Sequence, residues 1–228
     1  MHVETLPDDA AVAQRAAAFI AQRAHDAVRA RGLFTLAVSG GRTPWAMLRA
    51  LATLDLPWPQ VQLFQVDERV APDGDALRNL SHIRASLLAH VPLPAANLHA
   101  MPVTAADLDA AARDYAATLQ RVAGTPAVLD LVHLGLGADG HTASLVPGDA
   151  ALQVVDADVA LAGPYQGHRR MTLTYPVLNR ARGVLWLATG ADKRDMVARL
   201  RAADTGIPAG RVRSERAWLL GDGAALDF

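Results

Sequence analysis

Four short apolar runs, each cut off by a turn of small or charged residues, constrain this chain more than any other feature. They are Phe34 to Val38, Val61 to Val66, Leu129 to Leu134 and Val184 to Thr189. Runs of this length suit strands buried on both faces, and the stretches between them carry helical periodicity. From Asp9 to Arg31, Val12, Ala16, Phe19, Ile20, Ala24 and Val28 form one apolar stripe that Gly32 ends. The same spacing predicts helices over Trp45 to Leu54, Asn79 to His90 and Asp192 to Ala202. A further helix begins at Thr104, with Leu108, Ala111, Ala112, Tyr115, Leu119 and Val122 on its inner face. Thr43 suits the cap of the helix that follows it, with Pro44 at the first helical position. Asp67 to Arg78 reads as a polar loop, Leu98 to Met101 as a short strand, and Trp218 to Leu220 as a last strand. Val154 to Leu161 and Met171 to Thr174 read as extended. Strands alternate with helices without a linker, a break in composition or an internal repeat. This predicts one domain over residues 1–228, a doubly wound, mostly parallel α/β sheet with helices on both faces, Rossmann-like in architecture.

Composition supplies the material for such a core. With 228 residues, 51% hydrophobic and 20% charged, a disordered or fibrous chain is ruled out. The balance of 22 Lys and Arg against 23 Asp and Glu leaves a formal charge of -1, so no global field draws the protein to nucleic acid or an anionic membrane. The chain has no cysteine, which excludes disulfides, thiol nucleophiles and cysteine-ligated zinc and leaves the chemistry to oxygen and nitrogen groups. Glu4, Asp8 and Asp9 stand where a signal peptide needs a basic end and an apolar run, and no stretch reaches membrane-spanning length, so the cytoplasm is the expected compartment. No His-x-x-x-His or acidic array has metal-site spacing, and neither a metal nor a cofactor is expected.

In an open parallel sheet, ligands bind beyond the carboxyl ends of the strands. The turns Ser39-Gly40-Gly41-Arg42-Thr43, Asp67-Glu68-Arg69, Gly135 to His141 and Gly190-Ala191-Asp192-Lys193 are therefore expected to share one edge. The first opens a helix, where backbone N–H groups and the helix dipole can approach a phosphate; the same glycines would equally serve an ordinary strand-to-helix turn. Arg69, Lys193 and Arg170 are cations suited to phosphate oxygens, although each alone also reads as a solvated charge. Gly135 to Gly140 matches Gly-x-Gly-x-x-Gly, the dinucleotide fingerprint. Asp139 would then sit against a pyrophosphate and Pro147 would interrupt the helix, so this is the weaker reading. His141, in a glycine-framed turn two residues from Asp139, is the best general base in the chain: a neutral imidazole takes a proton from water while a carboxylate fixes its tautomer. The bland alternative for His141 is a polar loop residue. His133, inside an apolar strand, reads as a hydrogen-bonded core residue.

These segments together resemble the 6-phosphogluconolactonase family. The resemblance rests on Ser39-Gly40-Gly41 with Thr43-Pro44, Asp67-Glu68-Arg69 followed by Asn79, and GLGADGHTASLVP from Gly135 to Pro147. Arg170-Met171-Thr172-Leu173-Thr174 and Gly190 with Lys193 complete it. It runs over most of the chain, and Asp139 to Ser144 is its most specific block. The related glucosamine-6-phosphate deaminases share the architecture, but their histidine turn looks like DGHIAFNEP, with a glutamate that assists ring opening. No acid occupies that position between Thr142 and Pro147 here. Two positions depart from the family pattern: Arg78 precedes Asn79 where a serine is usual, and Val146 replaces a common phenylalanine.

The resemblance implies hydrolysis of 6-phospho-D-glucono-1,5-lactone to 6-phosphogluconate, in the oxidative branch of the pentose phosphate pathway. Ser39, Gly40, Gly41, Thr43, Arg69, Asn79, Arg170 and Lys193 would bind the substrate and its phosphate. His141 would activate water, with Asp139 and Asp67 orienting. The expected partner is a small sugar-phosphate lactone, with no nucleic acid and no membrane. The competing expectations are a deaminase or aldose–ketose isomerase on the same scaffold, and a non-catalytic sugar-phosphate sensor. A regulatory sensor would carry a DNA-binding segment, and no basic helix-turn-helix stands outside the sheet units.

Overall fold

The four apolar runs all become strands of one sheet in the computed structural model, which describes residues 1–226. The strands are β1 (His2–Leu6), β2 (Phe34–Val38), β3 (Val61–Gln65), β4 (Asp67–Arg69), β5 (Leu98–His99), β6 (Leu131–Gly135), β7 (Val159–Tyr165), β8 (His168–Leu173), β9 (Val184–Ala188) and β10 (Ala217–Asp222). The helices are α1 (Asp9–Arg31), α2 (Arg42–Leu51), α3 (Asn79–Ile83), α4 (Leu108–Ala123), α5 (Tyr175–Arg180), α6 (Arg194–Arg201) and α7 (Gly223–Leu226).

Seven strands pair in the order β1-β10-β9-β6-β2-β3-β5, every pairing parallel. Side chains alternate between two cores. Leu36, Val38, Leu63 and Leu185 pack with Ile20 of α1 and Met47 and Leu48 of α2. Ala37, Phe64, Val132 and Trp186 pack on the other face with Tyr115 and Leu119 of α4 and Met171 and Leu173 of β8. This two-sided burial explains why the strands read as continuous apolar runs. From β2 the sheet extends one way through β3 and β5 and the other way through β6, β9 and β10, so the winding reverses between β2 and β6. Such a switch point is where a crevice opens in this architecture.

Several boundaries move for identifiable reasons. Helix α1 is where periodicity puts it: the Asp8 side chain accepts the Ala11 N–H at 2.8 Å, and Gly32, at φ 74, donates to the Val28 carbonyl. Helix α4 begins at Leu108, not at Thr104, because the Asp107 carboxylate takes the capping role and accepts the Ala110 N–H at 2.9 Å. Helix α2 starts at Arg42 with Gly41 as its cap, so Thr43 is not the cap and Pro44 is not at the first position. The helix expected over Asn79 to His90 is α-helical only to Ile83 and widens to a π-helical turn at Arg84–Leu88. β1, for which its short mixed sequence gives no clear signal, pairs with β10 along its whole length.

The largest correction concerns Asp67 to Arg78. Its first three residues are not loop but β4, one edge of a separate three-stranded antiparallel sheet in the order β4-β8-β7. Asp67 and Glu68 are buried there, so charges that look solvated in sequence are satisfied by tertiary partners. Val66 passes the chain between the sheets: its N–H bonds the Val38 carbonyl, and its own carbonyl accepts the Leu173 N–H. β7 and β8 form a hairpin displaced from the expected stretches Val154 to Leu161 and Met171 to Thr174: β7 starts only at Val159 and runs on to Tyr165, and β8 starts earlier, at His168, and ends at Leu173. Among the described residues, no helix is long and apolar enough to cross a membrane.

Candidate active site

The switch point between β2 and β6 opens into a cleft of about 420 Å³. All but two of the residues singled out from sequence line it; the exceptions are Asp139, behind His141, and Thr43. The Thr43 hydroxyl lies 2.9 Å from that of Thr189, joining the first turn of α2 to the loop after β9 that carries Gly190 and Lys193. The dispersed turns therefore do converge on one edge, as strand polarity requires.

One wall gathers backbone N–H groups and cations. Ser39 is fixed from behind, its N–H donating to His133 Nδ1 at 3.2 Å and its hydroxyl to the His133 carbonyl at 3.1 Å. Gly40 and Gly41 then turn the chain into α2, whose first turn has no side-chain cap and presents its free N–H groups. Gly41 sits at φ 133, which favours glycine, and a Cβ on Gly40 would lie 2.1 Å from Asn79 Oδ1. Opposite stand the cations. Arg69 and Arg170 are direct cross-strand partners in the β4–β8 pair, so two guanidinium groups leave one face of the small sheet side by side. Like charges so placed repel unless an anion lies between them. Arg170 is buried, its Nε has no hydrogen-bond partner, and Asp67 is 3.9 Å away. Burial and the neighbouring Arg69 both push the Arg170 guanidinium down from its ordinary value. Lys193 lines the same cleft, its Nζ 3.3 Å from Asp192.

The other wall carries the imidazole. The turn after β6 is closed by hydrogen bonds from the Gly137 N–H to the His141 carbonyl at 2.8 Å and from the Gly140 N–H to the Gly137 carbonyl at 3.0 Å. No helix follows it before Pro147, so the Gly-x-Gly-x-x-Gly run lacks the helix N-terminus that a dinucleotide site needs. His141 Nδ1 lies 2.5 Å from Asp139 Oδ1. A carboxylate only accepts, so Nδ1 carries the proton and Nε2 keeps the lone pair. Burial works to raise the Asp139 carboxyl, but hydrogen bonds from the His141 backbone and ring and from the Tyr165 hydroxyl outweigh it and hold the group below its usual value. Asp139 is therefore ionised near neutral pH.

Asp67 has the opposite character. Burial pushes its carboxyl above the ordinary value, against the Ser144 hydroxyl, which donates to Oδ2 at 2.6 Å, and the charge of Arg170. Asn79 Nδ2 donates to the Asp67 carbonyl at 3.0 Å. Asp67 thereby ties the histidine turn, through Ser144, to the small sheet.

Sequence reasoning does not single out four contributors. Glu68 accepts the N–H groups of Asn79 and Leu80 and so fixes the start of α3. Trp45 and His82 stack at 5.0 Å as one side of the cleft. Tyr165 reaches Asp139 from the β7–β8 hairpin. Glu68 lies within the Asp67-Glu68-Arg69 motif but is assigned no role there; the stacking pair and the tyrosine belong to no motif and become neighbours only through the fold. Among the described residues no group of three or more His, Asp or Glu is arranged to hold a metal ion. Chemically, the cleft can seat a doubly charged anion at one end and, at the other, offer an imidazole nitrogen of defined tautomer to a proton.

Comparison with known proteins agrees with this architecture. Residues 7–220 match the family model described as glucosamine-6-phosphate isomerases/6-phosphogluconolactonase. The chain is 38% identical over 236 residues to the 6-phosphogluconolactonase of Nostoc sp., covering 99% of this chain and 98% of that protein. The crystal structure of 6-phosphogluconolactonase from Thermotoga maritima superposes with a TM-score of 0.86 at 25% identity, over 97% of this chain and 98% of the other. A monomeric glucosamine-6-phosphate deaminase shares the fold, with a TM-score of 0.85 at 19% identity over 99% and 98% of the two chains.

Proposed function

Because the chain belongs to the glucosamine-6-phosphate isomerase/6-phosphogluconolactonase family, we propose that it hydrolyses 6-phospho-D-glucono-1,5-lactone to 6-phosphogluconate, serving the oxidative branch of the pentose phosphate pathway. One observation carries the reading: His141, oriented by an ionised Asp139, lines the same cleft as Arg69, Arg170, Lys193 and the uncapped start of α2.

The phosphate sits on those cations and on the N–H groups after Gly41, bringing the lactone carbonyl toward His141. Nε2 takes a proton from water as its oxygen bonds to the carbonyl carbon, and Asp139 stabilises the imidazolium. The tetrahedral intermediate collapses by breaking the bond to the ring oxygen, which receives the proton back from Nε2. The product is a free hydroxyl and a carboxylic acid that ionises in water. No covalent enzyme intermediate is needed, and positioning on the phosphate contributes alongside proton transfer.

The shared fold also admits a deaminase, but the position of the deaminase glutamate is held by Val146, buried in the apolar interior. That favours the lactonase. The deciding assay follows freshly prepared lactone by pH-stat, with the spontaneous rate subtracted. His141→Ala is expected to lose about 10² to 10⁴ of the accelerated rate while 6-phosphogluconate still binds. Turnover of that variant at the normal rate, or ammonia release from hexosamine phosphates by the unmodified protein, would overturn the proposal.

A further inference from the structure

The tip of the β7–β8 hairpin touches residues of both walls of the cleft through one side chain. Gln166 and Gly167, at φ 52 and 80, form a tight two-residue turn between Tyr165 and its cross-strand partner His168. The strand register shifts between Ala162 and Tyr165, an irregularity of the kind that re-aims a side chain. The Tyr165 hydroxyl donates to Asp139 Oδ2 at 3.2 Å and lies 3.5 Å from His141 Nδ1. Its ring meets the imidazole edge-on, centroids 5.1 Å apart. On its other side the Arg170 guanidinium carbon is 5.2 Å from the ring centroid, and Arg170 donates to the Tyr165 carbonyl at 3.4 Å.

We propose that Tyr165 is a positioning residue that couples the His141–Asp139 pair to the anion site at Arg170, the hydroxyl serving the base and the ring serving the cation. The inference rests on the lactonase reading of the cleft. Tyr165 is only partly buried and fills no core position, so its polar and cationic contacts account for its placement. The titratable and charged groups facing it are Asp139 and His141 from the turn after β6 and, from β8, Arg170 and Tyr165's own cross-strand partner His168, with Arg69 and Asp67 beyond Arg170. Burial and the charge of Asp139 both push the phenol up, which keeps it protonated and a donor. Without the hydroxyl, Asp139 loses a hydrogen bond that favours its ionised form.

Two variants separate the handles. Tyr165→Phe removes the hydroxyl alone. It is expected to lower kcat about three- to tenfold with KM little changed, to move the acid limb of the kcat profile to higher pH, and to shift the downfield imidazole N–H resonance of the His141–Asp139 bond in the free protein. Tyr165→Leu removes the ring as well and is expected to add a rise of about two- to fivefold in KM and in the dissociation constant for inorganic phosphate. Wild-type kcat, pH profile and resonance in Tyr165→Phe would overturn the proposal, as would losses in both variants that merely track the fraction of folded protein. Failure of the unmodified protein to accelerate lactone hydrolysis would instead overturn the lactonase reading; the resonance and phosphate titrations need no turnover and still decide whether Tyr165 couples the two walls.

Discussion

At the scale of single residues, the cleft depends on atoms that are missing as much as on those present. A Cβ at Gly137 would lie 2.0 Å from His141 Nδ1 and 2.7 Å from Asp139 Oδ1, so glycine is what lets the histidine close on its carboxylate. The obstructing atoms are side-chain ends that can swing aside. Gly137→Ala is therefore expected to fold with a loss of less than about 1 kcal/mol, yet to lose at least about a hundredfold in kcat, as thermal melts beside steady-state rates will show. Asp67 gives a second prediction of definite sign. Its carboxyl is raised in the folded protein, so above the unfolded value of 3.8 the native state binds the proton more tightly and stability falls as pH rises. Asp67→Asn removes that penalty. Its stability relative to the parent is expected to improve as pH climbs through the carboxylate range, measured by denaturant titrations on either side of it.

At the scale of elements, β4 and α3 show how a charged segment becomes structural. Glu68 is fully buried and accepts hydrogen bonds from Gln65 Nε2 and from the backbone N–H groups of Arg69, Asn79 and Leu80, all between 2.8 and 2.9 Å. Arg78, also buried, brings its Nε to 3.3 Å from the same carboxylate. A five-residue helix cannot hold itself, so the carboxylate supplies its first turn with partners. Arg78 thus brings a cation to a buried acid. Glu68→Gln removes the buried counter-charge and leaves that cation only the more distant, exposed Asp73, 3.7 Å from its Nη1; it is expected to cost about 3 kcal/mol, with hydrogen exchange rising first across residues 67–88. This segment also marks where sequence reading stops. β2, β3, β6 and β9 are legible because burial on both faces leaves a run of apolar side chains that no other element imitates. β4 is illegible because its buried residues are charged, and apart from Gln65 and Arg69 their partners lie ten or more positions away. The histidine turn and glycine turn announce themselves by local composition; Tyr165 and the Trp45–His82 stack do not, since only the small sheet brings Tyr165 to Asp139 and only α3 brings His82 to Trp45 of α2.

At the scale of the whole molecule, the histidine beneath the site makes the fold sensitive to acid. His133 is fully buried in β6; its Nδ1 accepts the Ser39 N–H and its Nε2 has no partner. Burial pushes its pKa down to about 3, so it is neutral in the native state and takes up a proton on unfolding below its ordinary 6.5. Stability is accordingly complete above that value and falls as pH drops below it, by up to about 1.4 kcal/mol per unit until about pH 3. His133→Asn, whose amide oxygen can still accept from Ser39, is expected to flatten that slope in unfolding titrations between pH 6.5 and 4. The same parallel pairing that puts His133 under Ser39 governs assembly as well. Residues from 39 to 193 meet only when non-adjacent segments are zipped in the order β9-β6-β2-β3. Distant closures of this kind are slow compared with local coiling. Regained turnover should thus lag the recovery of helical ellipticity after dilution from denaturant, which makes the enzyme's own rate a clock for its last folding step.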